Sequence, residues 1–167
     1  QNLDIFVCKL LFYMIDKKTL KEILLDNRRM VVNMKIIRRD IALKDDFRYV
    51  FVGVRRAGKS FLMFQKMQDL LAQGKTWDDM LYINFEEDRL YGFDVHDFET
   101  ILTVHKEMGG REPILFLDEV QNIDGWDKFA RRLADHKYMV YITGSNAKML
   151  SSDVATTLGG RYIVKNV

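Results

Sequence analysis

The chain has 167 residues, 48% of them apolar and 30% charged, which suits one globular domain and excludes both a second full domain and a largely disordered chain. Its single cysteine, Cys8, excludes an internal disulfide and a cysteine-based zinc cluster, so a reducing, cytoplasmic setting is expected. The net charge of +2 is uneven: residues 1–44 carry ten Lys/Arg against five Asp/Glu, which leaves the remainder net acidic.

From the N-terminus, Leu3 to Ile15 is apolar but interrupted by Lys9. It follows no basic run and is too short to span a bilayer, so it predicts a packed helix and no membrane association. The basic bias that continues to Lys44 suits a DNA or protein partner or another anionic surface. Lys17, Lys18, Lys21, Arg28 and Arg29 suit a solvated helix face equally well. The expected organisation is a basic, mainly helical segment over residues 1–44 and a compact core over 45–167.

Within that core, apolar runs alternate with helical periodicity, the pattern of a parallel sheet with crossover helices. Tyr49-Val50-Phe51-Val52 predicts the first strand, followed by a helix in which Met63, Met67, Leu70 and Leu71 share a face and Gly74 is the stop. Leu81 to Phe85 is the second strand, and Phe98, Ile101, Leu102 and His105 then give one helical stripe. Pro113, beside Gly109-Gly110, marks a loop before Ile114-Leu115-Phe116-Leu117, a continuous apolar run expected of a strand buried on both faces. Trp126, Phe129, Ala130, Leu133 and Ala134 form the next stripe and lead into Met139 to Ile142. Tyr162-Ile163-Val164 predicts a fifth strand.

Nearly every predicted strand runs directly into polar groups, and in open parallel sheets the carboxyl ends of the strands face the ligand crevice. Gly53-Val54-Arg55-Arg56-Ala57-Gly58-Lys59-Ser60 matches G-x-x-x-x-G-K-[ST] between a strand and a helix, the context this motif requires. These residues, with Phe61 behind them, are the predicted cofactor-binding set. The glycines let backbone N–H groups close on phosphates, Lys59 reaches the β/γ-phosphates and Ser60 holds Mg²⁺. An ordinary glycine-rich turn is the alternative, and the flanking strand and helix argue against it. Asp118-Glu119 after the third apolar run supplies a carboxylate for the metal shell and a second to deprotonate a water; alone, such a pair is also a common helix cap. Glu86-Glu87 after the second strand converges on the same place. Thr143, Ser145 or Asn146 could bond the γ-phosphate or the attacking water, or cap the following helix, with Ser145 and Asn146 preferred. The three histidines, His96, His105 and His136, fall into no zinc spacing, and Ser145 lacks a nucleophile elbow.

These residues resemble the AAA+ superfamily of P-loop ATPases, specifically the prokaryotic AAA_14 type found with a C-terminal DUF4143 region. The resemblance spans roughly residues 36–167. It is carried by the double arginine of the phosphate loop, Tyr82-Ile83-Asn84-Phe85-Glu86, Leu117-Asp118-Glu119-Val120-Gln121 with Trp126, Ile142-Thr143-Gly144-Ser145-Asn146-Ala147, and Gly160-Arg161-Tyr162. It implies a three-layer α-β-α sandwich with a mostly parallel sheet, an extra strand between those bearing the phosphate loop and Asp118, and Ser145-Asn146 in the sensor position. It also implies an arginine finger at Arg161 reaching a neighbouring copy, hence a homo-oligomer, and a helical lid that is not among these residues. The expected activity is hydrolysis of ATP to ADP and phosphate with Mg²⁺, with Glu119, Lys59, Asn146, Ser145 and Arg161 as catalytic residues and Ser60 and Asp118 at the metal. A slow ATP-dependent switch acting on DNA or a protein uses the same site. A small-molecule kinase is disfavoured because Asp118 to Gln121 looks arranged for water and no arginine-rich lid segment follows.

Overall fold

A computed structural model describes residues 15–145, Met149 and 151–167, except for the side chains of 151–153. The apolar stretch before Ile15, with Cys8, and the sensor candidate Asn146 lie outside the described residues.

Five strands form one all-parallel sheet: β1 (Tyr49–Val52), β2 (Met80–Asn84), β3 (Ile114–Asp118), β4 (Val140–Gly144) and β5 (Ile163–Asn166), in the order β2-β3-β4-β1-β5. The helices are α1 (Lys17–Asn33), α2 (Lys59–Ala72), α3 (Phe98–Glu107), α4 (Trp126–Asp135) and α5 (Ser151–Thr157). β4 sits between β1 and β3, as the resemblance implies, and the fold is the expected α/β architecture.

β1 to β4 are apolar over nearly their whole length because both faces are covered, and their residue types sort by parity, whereas β5 at the sheet edge carries Lys165 and Asn166 and is only partly buried. Val50, Val52, Leu81, Ile83, Leu115, Leu117, Val140 and Ile142 join one core, shared with α3 and α4. Tyr49, Phe51, Met80, Tyr82, Phe116 and Tyr141 join the other, beneath Met63 and Met67 of α2. Across the second face Tyr49, Tyr141 and Phe116 stack on neighbouring strands, with ring centroids 6.0 and 4.9 Å apart. Offset stacking of this kind adds about 0.5–1.5 kcal/mol per pair beyond area burial.

Asp16 caps α1 by accepting from the Thr19 N–H at 3.1 Å. The helix buries Leu20, Ile23, Leu24 and Val31 and packs against β2, α2 and α3. Asn27 Nδ2 donates to Tyr82 O and the Arg28 guanidinium to Trp77 O, each at 3.3 Å. The helix thereby covers the outer edge of β2 and satisfies the Tyr82 carbonyl there. Lys17, Lys18, Lys21 and Arg29 face solvent. No helix among the described residues is long and apolar enough to cross a membrane.

Three details differ from expectation. On α3 the buried stripe includes Val104, while Leu102 is only half-buried. β4 continues through Thr143 and Gly144, so Thr143 is a buried strand residue and not part of the following loop. β5 starts at Ile163; Tyr162 precedes it and donates its hydroxyl to Ala130 O at 2.6 Å.

Candidate functional site

The chain leaves β1 at Val52 and turns at once through Gly53, whose φ of 157° places a hypothetical Cβ 2.4 Å from the Val167 carbonyl oxygen. Only glycine tolerates that approach. Arg56 (φ 62°) and Gly58 (φ 91°) adopt left-handed backbone, folding the loop back so that α2 starts at Lys59. Gly58 is the N-cap of α2 and supplies no side-chain acceptor, so no side chain claims the first N–H groups of the helix there. Lys59 is only 3% exposed. Its ammonium donates to Val54 O at 2.8 Å and Gly53 O at 3.3 Å, and lies 3.9 Å from Glu119 Oε1.

Asp118 closes β3 and is fully buried. Tyr82 donates its hydroxyl to Oδ2 at 2.8 Å, while Ser60 Oγ at 3.1 Å and Thr143 Oγ1 both donate to Oδ1. Burial raises the Asp118 carboxyl above its ordinary pKa, and the three donors pull against that rise. Burial, with Asp118 beside it, pushes the Tyr82 phenol well up, so it stays protonated and remains a donor.

The next residue, Glu119, is left-handed (φ 55°, ψ 46°), a conformation that non-glycine residues hold only when their surroundings enforce it. The surroundings do so from two sides. The Glu119 N–H donates to Thr143 Oγ1 at 2.9 Å, and Asn122 Nδ2 donates to Glu119 O at 3.0 Å. This twist turns the carboxylate away from the buried Asp118 and toward the cleft. Ser145 Oγ and Gln121 Nε2 each donate to Glu119 Oε2 at 2.6 Å, and Gln121 Nε2 also reaches Ser145 Oγ at 3.2 Å.

The cleft over the loop has a volume of about 980 Å³, at the upper end of the ~300–1,000 Å³ range of ligand pockets. Lys35, Arg39, Arg55, Arg56 and Lys59 line it against two carboxylates, Glu86 and Glu119, an excess of positive charge that suits a polyanion. Arg55 pairs with Glu86 across the mouth. Arg39 reaches in from the segment before β1 and donates to Ala57 O at 2.9 Å, while its backbone exchanges two 2.9 Å hydrogen bonds with the Gln65 side chain on α2.

The AAA domain family (AAA_14) matches residues 46–167. The chain belongs to it. An uncharacterized protein of Methanocaldococcus jannaschii is 40% identical over 153 residues, covering 90% of this chain and 33% of the relative. An uncharacterized protein of Haemophilus influenzae is 38% identical over 141 residues, covering 82% of this chain and 35% of the relative. The chain therefore spans about a third of the length of these relatives.

On this nucleotide-binding AAA domain, the structure brings Lys59, Ser60, Asp118, Glu119 and Ser145 together at the carboxyl edge of the sheet. Two expected participants are placed otherwise. Thr143 is fully buried and spends its hydroxyl on Asp118 and the Glu119 backbone, so it is not free to meet a ligand. Glu87 turns from the cleft to pair with Arg89, which holds its carboxyl down at about 2. Arg161, expected to reach a neighbouring copy, stands just before β5 at the amino ends of the strands, away from the phosphate loop of its own chain, and forms two hydrogen bonds with Asp135 at 2.7 and 3.3 Å. The sequence names Tyr82 and Gln121 only within segments that carry the resemblance, with no role of their own, and does not mark Arg39 at all. The parity of β2 could have placed Tyr82 on the phosphate-loop face, but no local signal announces the reach of Arg39, which spans 18 residues.

Proposed function

We propose that this AAA domain binds ATP in the cleft and hydrolyses it to ADP and phosphate. The observation that carries the reading is the assembly of a buried lysine, a serine hydroxyl and two successive carboxylates from two separate chain segments around one cationic cleft. Ser60 Oγ and Asp118 are hard oxygen donors within 3.1 Å of each other, and they fit a Mg²⁺ shell completed by phosphate oxygens. When bound there, Mg²⁺ offsets phosphate charge.

Lys59 and the first N–H groups of α2 hold the β- and γ-phosphates. Glu119 accepts a proton as water attacks the γ-phosphorus; the bond from that phosphorus to the β,γ-bridging oxygen breaks, and ADP leaves with the electron pair. Lys59 stabilises the charge that gathers on the bridging oxygen. In the Glu119→Gln variant, ATP affinity should stay within a few-fold, while phosphate release falls roughly 10²–10⁴-fold. Release at the wild-type rate would contradict the role of Glu119.

A second reading is a slow ATP-dependent switch that grips DNA or a protein. It is favoured by the solvent-facing lysines of α1. Arg161 enters either reading only as a group acting on a neighbouring copy of the chain, after release from Asp135.

A further inference from the structure

Gln121 sits in the short 3-10 turn that follows Glu119, half-buried, and commits its amide N–H groups to the machinery of the cleft. Its orientation is fixed by chemistry. Flipping the amide would set its oxygen 2.6 Å from Glu119 Oε2, acceptor against acceptor, whereas the observed orientation gives the carboxylate a donor. The consequence falls on the other end of the amide. Gln121 Oε1 is buried with no hydrogen-bond partner among the described residues. A buried acceptor left unpaired is destabilising, so a residue chosen for stability alone would be an apolar side chain of the same shape.

The rest of the local geometry points the same way. Glu119 is strained, and its backbone is held by Thr143 and Asn122, but those contacts fix only where the side chain begins. Ser145 and Gln121 fix where it ends. Both bind Oε2 at 2.6 Å, which leaves Oε1 as the oxygen on the Lys59 side, 3.9 Å from the ammonium. Gln121 also donates to Ser145 Oγ, and that hydroxyl, with its one hydrogen committed to Glu119, is thereby held in its donating orientation.

We infer that Gln121 is a positioning residue for hydrolysis: with Ser145 it pins Glu119 Oε2 so that Oε1 faces the phosphate loop as the proton acceptor. This rests on the proposed role of Glu119 as the base. Gln121 does not line the cleft, so its removal acts on kcat and not on nucleotide affinity.

The test uses Gln121→Met, which keeps the volume of the side chain and removes both the donor and the orphaned acceptor. In the full chain, kcat for phosphate release should fall about 10- to 100-fold. KM for ATP, and binding of a fluorescent ATP analogue, should change less than twofold, and the thermal midpoint should stay the same or rise. In a Glu119→Gln background, Gln121→Met should change the residual rate less than twofold, because its effect passes through Glu119. An unchanged kcat in Gln121→Met, an equal loss in both backgrounds, or a lowered thermal midpoint accompanying the loss overturns the inference while leaving the role of Glu119 intact. A Glu119→Gln chain that still releases phosphate at the wild-type rate, or a wild-type chain that releases none, overturns both.

Discussion

Thr143 shows how much of the site rests on a residue that contacts no ligand. Its hydroxyl donates to Asp118 and accepts from the Glu119 N–H, so one side chain ties the proposed metal-side carboxylate to the backbone of the proposed base. Thr143→Val keeps the shape and removes both bonds. A buried N–H left unpaired costs about 1–3 kcal/mol, which for a chain of this size lowers the thermal midpoint by roughly 2–12 °C. Thermal unfolding followed by circular dichroism measures this, and phosphate release should fall with it as Glu119 loses its anchor. The sequence marks Thr143 as polar after an apolar run, which is why it reads as a ligand contact. Nothing local reveals that β4 extends through it and turns its hydroxyl inward to β3.

At the scale of elements, legibility follows the range of the interaction. Strands buried on both faces announce themselves as apolar runs, and a phosphate loop is a contiguous motif, so β1, β3 and the start of α2 are readable residue by residue. The latch on Glu119 is not, because it joins β3 to β4 across 24 to 26 residues of chain. α1 lies between these cases. Its lysines and arginines stand out in the sequence, yet Leu20, Ile23 and Leu24 are 0–3% exposed and belong to the main core. The basic face and the core face are two sides of one helix. Ile23→Ala should therefore cost about 2–5 kcal/mol, while Lys21→Ala should stay within about 0.5 kcal/mol. Chemical denaturation of the two variants checks the contrast, and equal effects would contradict the edge-covering role of α1.

For the whole molecule, acid stability is the global property that follows from buried and paired groups. His105 is buried on α3 against the loop before β2, and its Nε2 donates to Asp78 O at 3.1 Å. Burial lowers its pKa from the ordinary value near 6.5, against the Asp78 carbonyl, which favours the charged form, and with nearby Arg28 adding to the depression. The folded chain therefore binds fewer protons than the unfolded one between the two pKa values, and stability falls as pH drops below about 6.5. Asp79, held down by Arg111, and Glu87, held at about 2 by Arg89, act at lower pH: their contribution is present above the ordinary carboxylate range and lost as pH falls from that range through their lowered values. The thermal midpoint should decline from pH 7 to pH 5, and His105→Gln should flatten that decline without altering the loss below pH 4.

The central claim is that the cationic cleft binds a nucleoside triphosphate through the phosphate loop, and calorimetric titration of the chain and of Lys59→Ala with ATP in Mg²⁺ buffer tests it most directly. Removing the ammonium 3.9 Å from Glu119 should weaken binding at least tenfold while the variant remains folded. Equal affinity for the two proteins, or no binding by either, would contradict the account.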